Sequence, residues 1–75
     1  MDISLYPNPG KDRVNLQIND EKVRNFHYLV FDLQGKQIMN ELIKGTFTTI
    51  KLEKGIYIVK IKTNNQWHTR KLIMY

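Results

Sequence analysis

Leu52-Glu53-Lys54-Gly55-Ile56-Tyr57-Ile58-Val59-Lys60-Ile61 is the stretch whose reading decides the fold. A charged turn ending in Gly55 launches a β-branched and aromatic run, with Tyr57, Val59 and Ile61 on one face and Lys60 and Lys62 on the other. That period of two is the mark of a strand with one buried face. A tyrosine two residues after a glycine, at the start of a strand, fits the tyrosine corner of Greek-key sandwiches, in which the hydroxyl bonds back to the preceding turn. The stretch builds a corner and holds no reactive group.

Outward from this strand the same alternation recurs, and no segment keeps helical spacing. Ile3–Tyr6 reads as a short opening strand stopped by Pro7, with Pro9 and Gly10 making a turn. Arg13–Ile18 puts Val14, Leu16 and Ile18 on one face. Phe26–Asp32 is apolar on both faces, so a central position in a sheet is expected. Gly35 supplies a positive φ for the reversal into Lys36–Ile43 as its antiparallel partner. Phe47–Leu52 precedes the quoted strand, Asn64 and Asn65 make a last hairpin turn, and Gln66–Tyr75 closes the domain. The expectation is an all-β chain of six or seven strands, with no linker and no second domain.

At 75 residues a chain buries only about 60% of the surface its unfolded form exposes. There is no cysteine, so no disulfide or thiolate metal site supports that small core. The head, Met1 to Tyr6, lacks the basic start and apolar run of an export signal. No apolar run approaches the roughly 20 residues of a membrane helix, so a soluble domain with no transmembrane segment is expected. The net charge of +5 is one-sided. Residues 1–50 are balanced, whereas residues 51–75 carry Lys51, Lys54, Lys60, Lys62, Arg70 and Lys71 against Glu53 alone. Such a half can steer an acidic partner, and lysines on exposed strands also protect sheet edges from aggregation.

Chemistry is sparse. Ser4 sits near the chain start, His27 and His68 alternate with strand residues, and the carboxylates are scattered, mostly at turns. A nucleophile, a base and an orienting acid are not brought together in any recognisable spacing. Gly35 and Gly55 are isolated and precede strands instead of opening helices, so no phosphate-cradling loop is formed. Catalytic residues, metal ligands and cofactors are therefore not expected. Base stacking beside lysines is disfavoured because Tyr57 faces away from Lys60 and Lys62, and no nucleic-acid partner is expected.

Four elements taken together are more specific than any one: the head Pro7-Asn8-Pro9, the hairpin Val30 to Ile38 around Gly35, the box Gly55 and Tyr57, and the tail Lys71-Leu72-Ile73. In order and spacing the chain resembles the C-terminal sorting domain of cargo proteins of the type IX (Por) secretion system of Bacteroidetes. That resemblance implies an immunoglobulin-like antiparallel β-sandwich acting as a non-catalytic secretion signal. It implies the outer-membrane translocon and a sortase-like peptidase as partners, and an upstream cargo domain covalently joined to it. It also implies transit through the periplasm to the cell surface or the medium, with removal of the domain afterwards. On this reading the chain is the C-terminal piece of a larger secreted protein.

The signal residues carried over are Pro7, Asn8, Pro9, Gly35, Gly55, Tyr57, Lys71, Leu72 and Ile73. Lys60, Lys62, Arg70 and Lys71 form the expected partner-docking surface. The rival reading is a carbohydrate-binding or adhesion module using Trp67, Tyr57 or Tyr75, since fold alone does not fix function.

Overall fold

A computed structural model describes residues 2–75, which form strands and the turns and loops between them, with Tyr75 following the last strand. Met1, first residue of the expected head, lies outside the described residues. Seven strands follow in order: β1 (Asp2–Lys11), β2 (Arg13–Asn19), β3 (Asn25–Asp32), β4 (Gln37–Lys44), β5 (Phe47–Lys51), β6 (Gly55–Thr63) and β7 (Gln66–Met74). One sheet pairs β1, β2 and β5, all antiparallel. The other runs β4-β3-β6-β7, again antiparallel throughout. The all-β sandwich expected from the alternation is what forms, with β3 inside its sheet between β4 and β6.

The two sheets close over one core. Val14, Leu16 and Ile18 from β2 and Ile50 from β5 meet Phe26, Tyr28 and Val30 from β3, Val59 and Ile61 from β6, and Leu72 from β7, all buried. Each comes from the inward register of its strand, as period-two patterning requires. Fully burying a side chain of this size contributes about 1.5–3 kcal/mol, and these ten provide the domain's cohesion in the absence of cysteine.

The turns behave as their residues demand. Gly35 adopts φ 86°, and Asn64 and Asn65 adopt 46° and 67°, the paired left-handed conformations of a two-residue hairpin loop. Around Gly35 the Asp32 carboxylate accepts hydrogen bonds from the Gln34 and Lys36 amides, both at 2.9 Å. That short side chain fixes the reversal by imitating a backbone acceptor.

The head departs from expectation. The first strand does not stop at Pro7, and Pro9-Gly10 makes no turn; extended backbone continues to Lys11, and the reversal falls at Asp12 with φ 68°. What ends near Tyr6 is the ladder with β2. The antiparallel register holds from Asp2 to Tyr6 and is then interrupted up to Lys11. Beyond the break, Gly10 pairs in parallel with Met74 of the other sheet. β1 therefore changes sheets, and its prolines, which have no N–H to donate, stand at the crossing where no ladder needs one. The peptide bonds before Pro7 and Pro9 are both cis.

Candidate functional site

The last strand collects every element singled out in the sequence except the Gly35 turn. In β7 alternation sends Leu72 and Met74 into the core, while Trp67, Thr69, Lys71 and Ile73 take the outer face of the four-stranded sheet. On one side β7 pairs with β6, placing Met74 opposite Gly55, Leu72 opposite Tyr57 and Ile73 opposite Ile56.

On the other side stands Asn8. Its side-chain Nδ2 donates to the Lys71 carbonyl at 2.8 Å, and its Oδ1 accepts from the Ile73 amide at 3.1 Å. The carboxamide thus fills the two bonding positions that a neighbouring strand would otherwise take. Just beyond, the Tyr75 amide donates to the Gly10 carbonyl at 2.9 Å. Head and tail are consequently one structural unit. Gly10 makes the approach feasible: a Cβ there would lie 2.5 Å from Val14 Cγ1 and 2.9 Å from the Pro7 carbonyl oxygen. Such contacts are far inside van der Waals range.

The corner is formed as its residues predict. Tyr57 is buried and its hydroxyl donates to the Glu53 carbonyl at 2.8 Å, locking the β5–β6 turn to the strand it launches. Gly55 adopts φ 159°, and a Cβ on it would touch the Tyr57 hydroxyl at 3.2 Å. The tyrosine lies under the turn because the glycine leaves space. Gly35 is set apart from β7, at the turn after Asp32, and Asp32 is in register with Tyr57.

The expected docking surface divides. Lys60, Lys62 and Lys71 share the outer face, but Arg70 belongs to the opposite register, and its guanidinium reaches round to donate to the Thr69 carbonyl at 3.0 Å. Lys60 Nζ lies 5.5 Å from the Phe31 ring centre and Lys62 Nζ 5.7 Å from that of Trp67, within reach of cation–π attraction. Here the separation of aromatics from lysines holds for Tyr57 and fails for Trp67, which stands directly opposite Lys62. Trp67 remains half exposed. Leu29, Phe31, Lys60, Trp67 and Thr69 line a shallow depression of about 400 Å³ on this face.

His27 also sits on the outer face, hydrogen-bonded to Asn40 and 6.1 Å from the Trp67 ring centre to centre. His68 is in the inner register, 3.3 Å from the Thr63 hydroxyl. Among the described residues there is no cluster of three His, Cys, Asp or Glu side chains able to hold a metal ion. No helix among the described residues is long and apolar enough to cross a membrane. The Tyr28 phenol is pushed above its ordinary value of 10.0 by burial, and secondarily by the Glu41 carboxylate.

Two features escaped the sequence reading. One is the reach of Asn8 to a strand 63 residues away, for which no local signal exists. The other is the pairing of Trp67 with Lys62, which a two-residue Asn64-Asn65 loop dictates by register alone.

The domain is a small two-sheet sandwich whose distinctive motifs surround its final strand. The family model described as the secretion system C-terminal sorting domain matches residues 4–75, and the chain belongs to that family, the sorting domains of type IX secretion. Its role is that of a C-terminal sorting signal for export. Comparison with curated proteins returned no match.

Proposed function

We propose that this domain is a non-catalytic address for an attached cargo, read from the β7 tail. One observation carries the reading: Asn8 on one side and Gly55 with Tyr57 on the other hold Lys71-Leu72-Ile73 in a fixed extended shape. Pro7, Asn8, Pro9, Gly55 and Tyr57 then act by presenting the tail, and Gly35 by closing the β3–β4 hairpin. Lys71 and Ile73 present the outward side chains that a receptor meets, with Lys60 and Lys62 on the same face, while Leu72 anchors the strand in the core.

The partners on this reading are the outer-membrane translocon and, afterwards, a sortase-like peptidase that removes the domain. The cargo precedes Asp2, the domain being the C-terminal piece of a larger secreted protein, and the route leads through the periplasm to the surface or the medium. Contact is by shape, strand backbone and charge, with no bond made or broken by the domain itself.

The test joins residues 1–75 to an exported reporter in a host with this secretion system. The intact domain is expected to carry the reporter across the outer membrane, and deletion of Lys71–Tyr75 to leave it in the periplasm. Lys71→Glu, a change at an exposed side chain, separates loss of signal from loss of fold. A reporter that stays periplasmic behind the intact domain, or one indifferent to both changes, overturns the proposal.

A further inference from the structure

The outer edge of β7 is closed over only part of its length. From Lys71 onward it is covered by Asn8 and Gly10, but among the described residues no strand pairs with this side between Gln66 and Arg70. In a strand, neighbouring residues point their backbone groups to opposite edges. Since Lys71 C=O and the Ile73 and Tyr75 amides face outward, the N–H and C=O of Trp67 and Thr69 face outward too. Arg70 donates to the Thr69 carbonyl, standing where the N–H of a further strand would.

We propose that this open half-edge is a docking site for an extended acidic segment of a partner protein, added as an eighth strand beside Trp67 and Thr69. Strand addition draws affinity from main-chain hydrogen bonds and selectivity from pockets for alternate side chains. On the outer face the exposed Trp67 ring and the Thr69 side chain, which form the β7 rim of the depression, are the surfaces that alternate side chains of the added strand would meet.

Charge fixes the partner's sign. β6 and β7 contain no Asp or Glu and carry Lys60, Lys62, Arg70 and Lys71. The other outer edges differ: β4 includes Glu41, and β5 has a single lysine and only five residues. Arg70, displaced from its own neighbour's carbonyl, becomes available to a carboxylate. The proposal rests on the recognition role above, yet it is tested without a secretion host, so each can fail alone.

The test uses the purified chain and a blocked peptide of alternating Glu and Val, with an alternating Lys and Val peptide and a single-stranded oligonucleotide as competitors. Binding is expected to slow hydrogen exchange at the Trp67 and Thr69 amides. It should weaken several-fold as ionic strength rises from about 0.01 M to about 0.15 M, over which the screening length falls from about 30 to about 8 Å. Thr69→Pro, which removes an outward N–H that β6 does not use, should abolish it. The double change Lys60→Glu and Lys62→Glu leaves the backbone intact and should cost about tenfold in affinity. Protection confined to β4 or β5, equal binding of the Lys and Val peptide or of the oligonucleotide, or no change in exchange at Trp67 and Thr69 overturns the proposal.

Discussion

Replacing Asn8 by alanine removes two hydrogen bonds and nothing else of size. Asn8 is exposed, so no cavity opens; what is lost is the 2.8 Å bond to the Lys71 carbonyl and the 3.1 Å bond from the Ile73 amide. A hydrogen bond contributes a net 0.5–1.5 kcal/mol or so, and both released backbone groups regain water, which places the cost near the lower end, at about 1–2 kcal/mol. For a domain of this length about 1 kcal/mol moves the melting temperature by roughly 4–8 °C, so a drop of about 5–15 °C is expected in thermal unfolding. The local signature is sharper: the Ile73 amide should exchange faster by more than the global destabilisation accounts for. Asn8→Asp refines the argument, since a carboxylate still accepts from Ile73 but sets its second oxygen against the Lys71 carbonyl. At neutral pH it should be no more stable than alanine. Below about pH 3.9, the ordinary value of the group, the protonated acid can donate to Lys71 and should gain on the alanine variant. An unchanged melting temperature together with unchanged Ile73 exchange in Asn8→Ala would refute the idea that the head clamps the tail.

The corner and the head offer further tests. Tyr57→Phe keeps the ring but strands the Glu53 carbonyl, and should cost about 1–2 kcal/mol in urea unfolding with no change in m-value. Gly10→Ala must displace Val14 or the Pro7 carbonyl; a loss of about 1–3 kcal/mol is expected, and a neutral result would mean that the β1–β7 contact is looser than described. Tyr28 gives a pH dependence. With its phenol raised in the folded state, the native protein binds more protons than the unfolded chain above pH 10.0, so stability falls as pH rises through that value. Tyr28→Phe should flatten this alkaline decline relative to the parent, measured by denaturant midpoints across the range.

The local rules were legible because they act within a few residues. Alternation placed Val14, Leu16 and Ile18, and Val59 and Ile61, in the core where they are found. Gly35 and the Asn64-Asn65 pair declared their turns through backbone sterics, and the Gly55-x-Tyr57 spacing declared the corner. The Pro7 to Gly10 segment misled because proline and glycine have the same local meaning in a turn and in a strand that changes sheets. Only contacts with Lys71, Ile73 and Met74, remote in sequence, tell the two apart. Arg70 and Lys71 were grouped by charge although strict alternation already assigns adjacent strand residues to opposite faces. For the candidate site, the motif residues could be named from the chain, while their meeting around β7 is a property of the sheet order and could not.

The crossing of β1 from one sheet to the other also has a mechanical consequence. Because Gly10 lies beside Met74 in parallel register and the Tyr75 amide bonds to the Gly10 carbonyl, most of the length of β1 separates Asp2 from Tyr75. A pull applied between those two ends runs along β1 and β7. The Asn8 amide, the Gly10 bridge and the rungs joining β1 to β2 are then loaded side by side, in shear, and must yield together instead of one at a time. The same few bonds that shape the tail thus act as a brake on drawing the domain out into a thread.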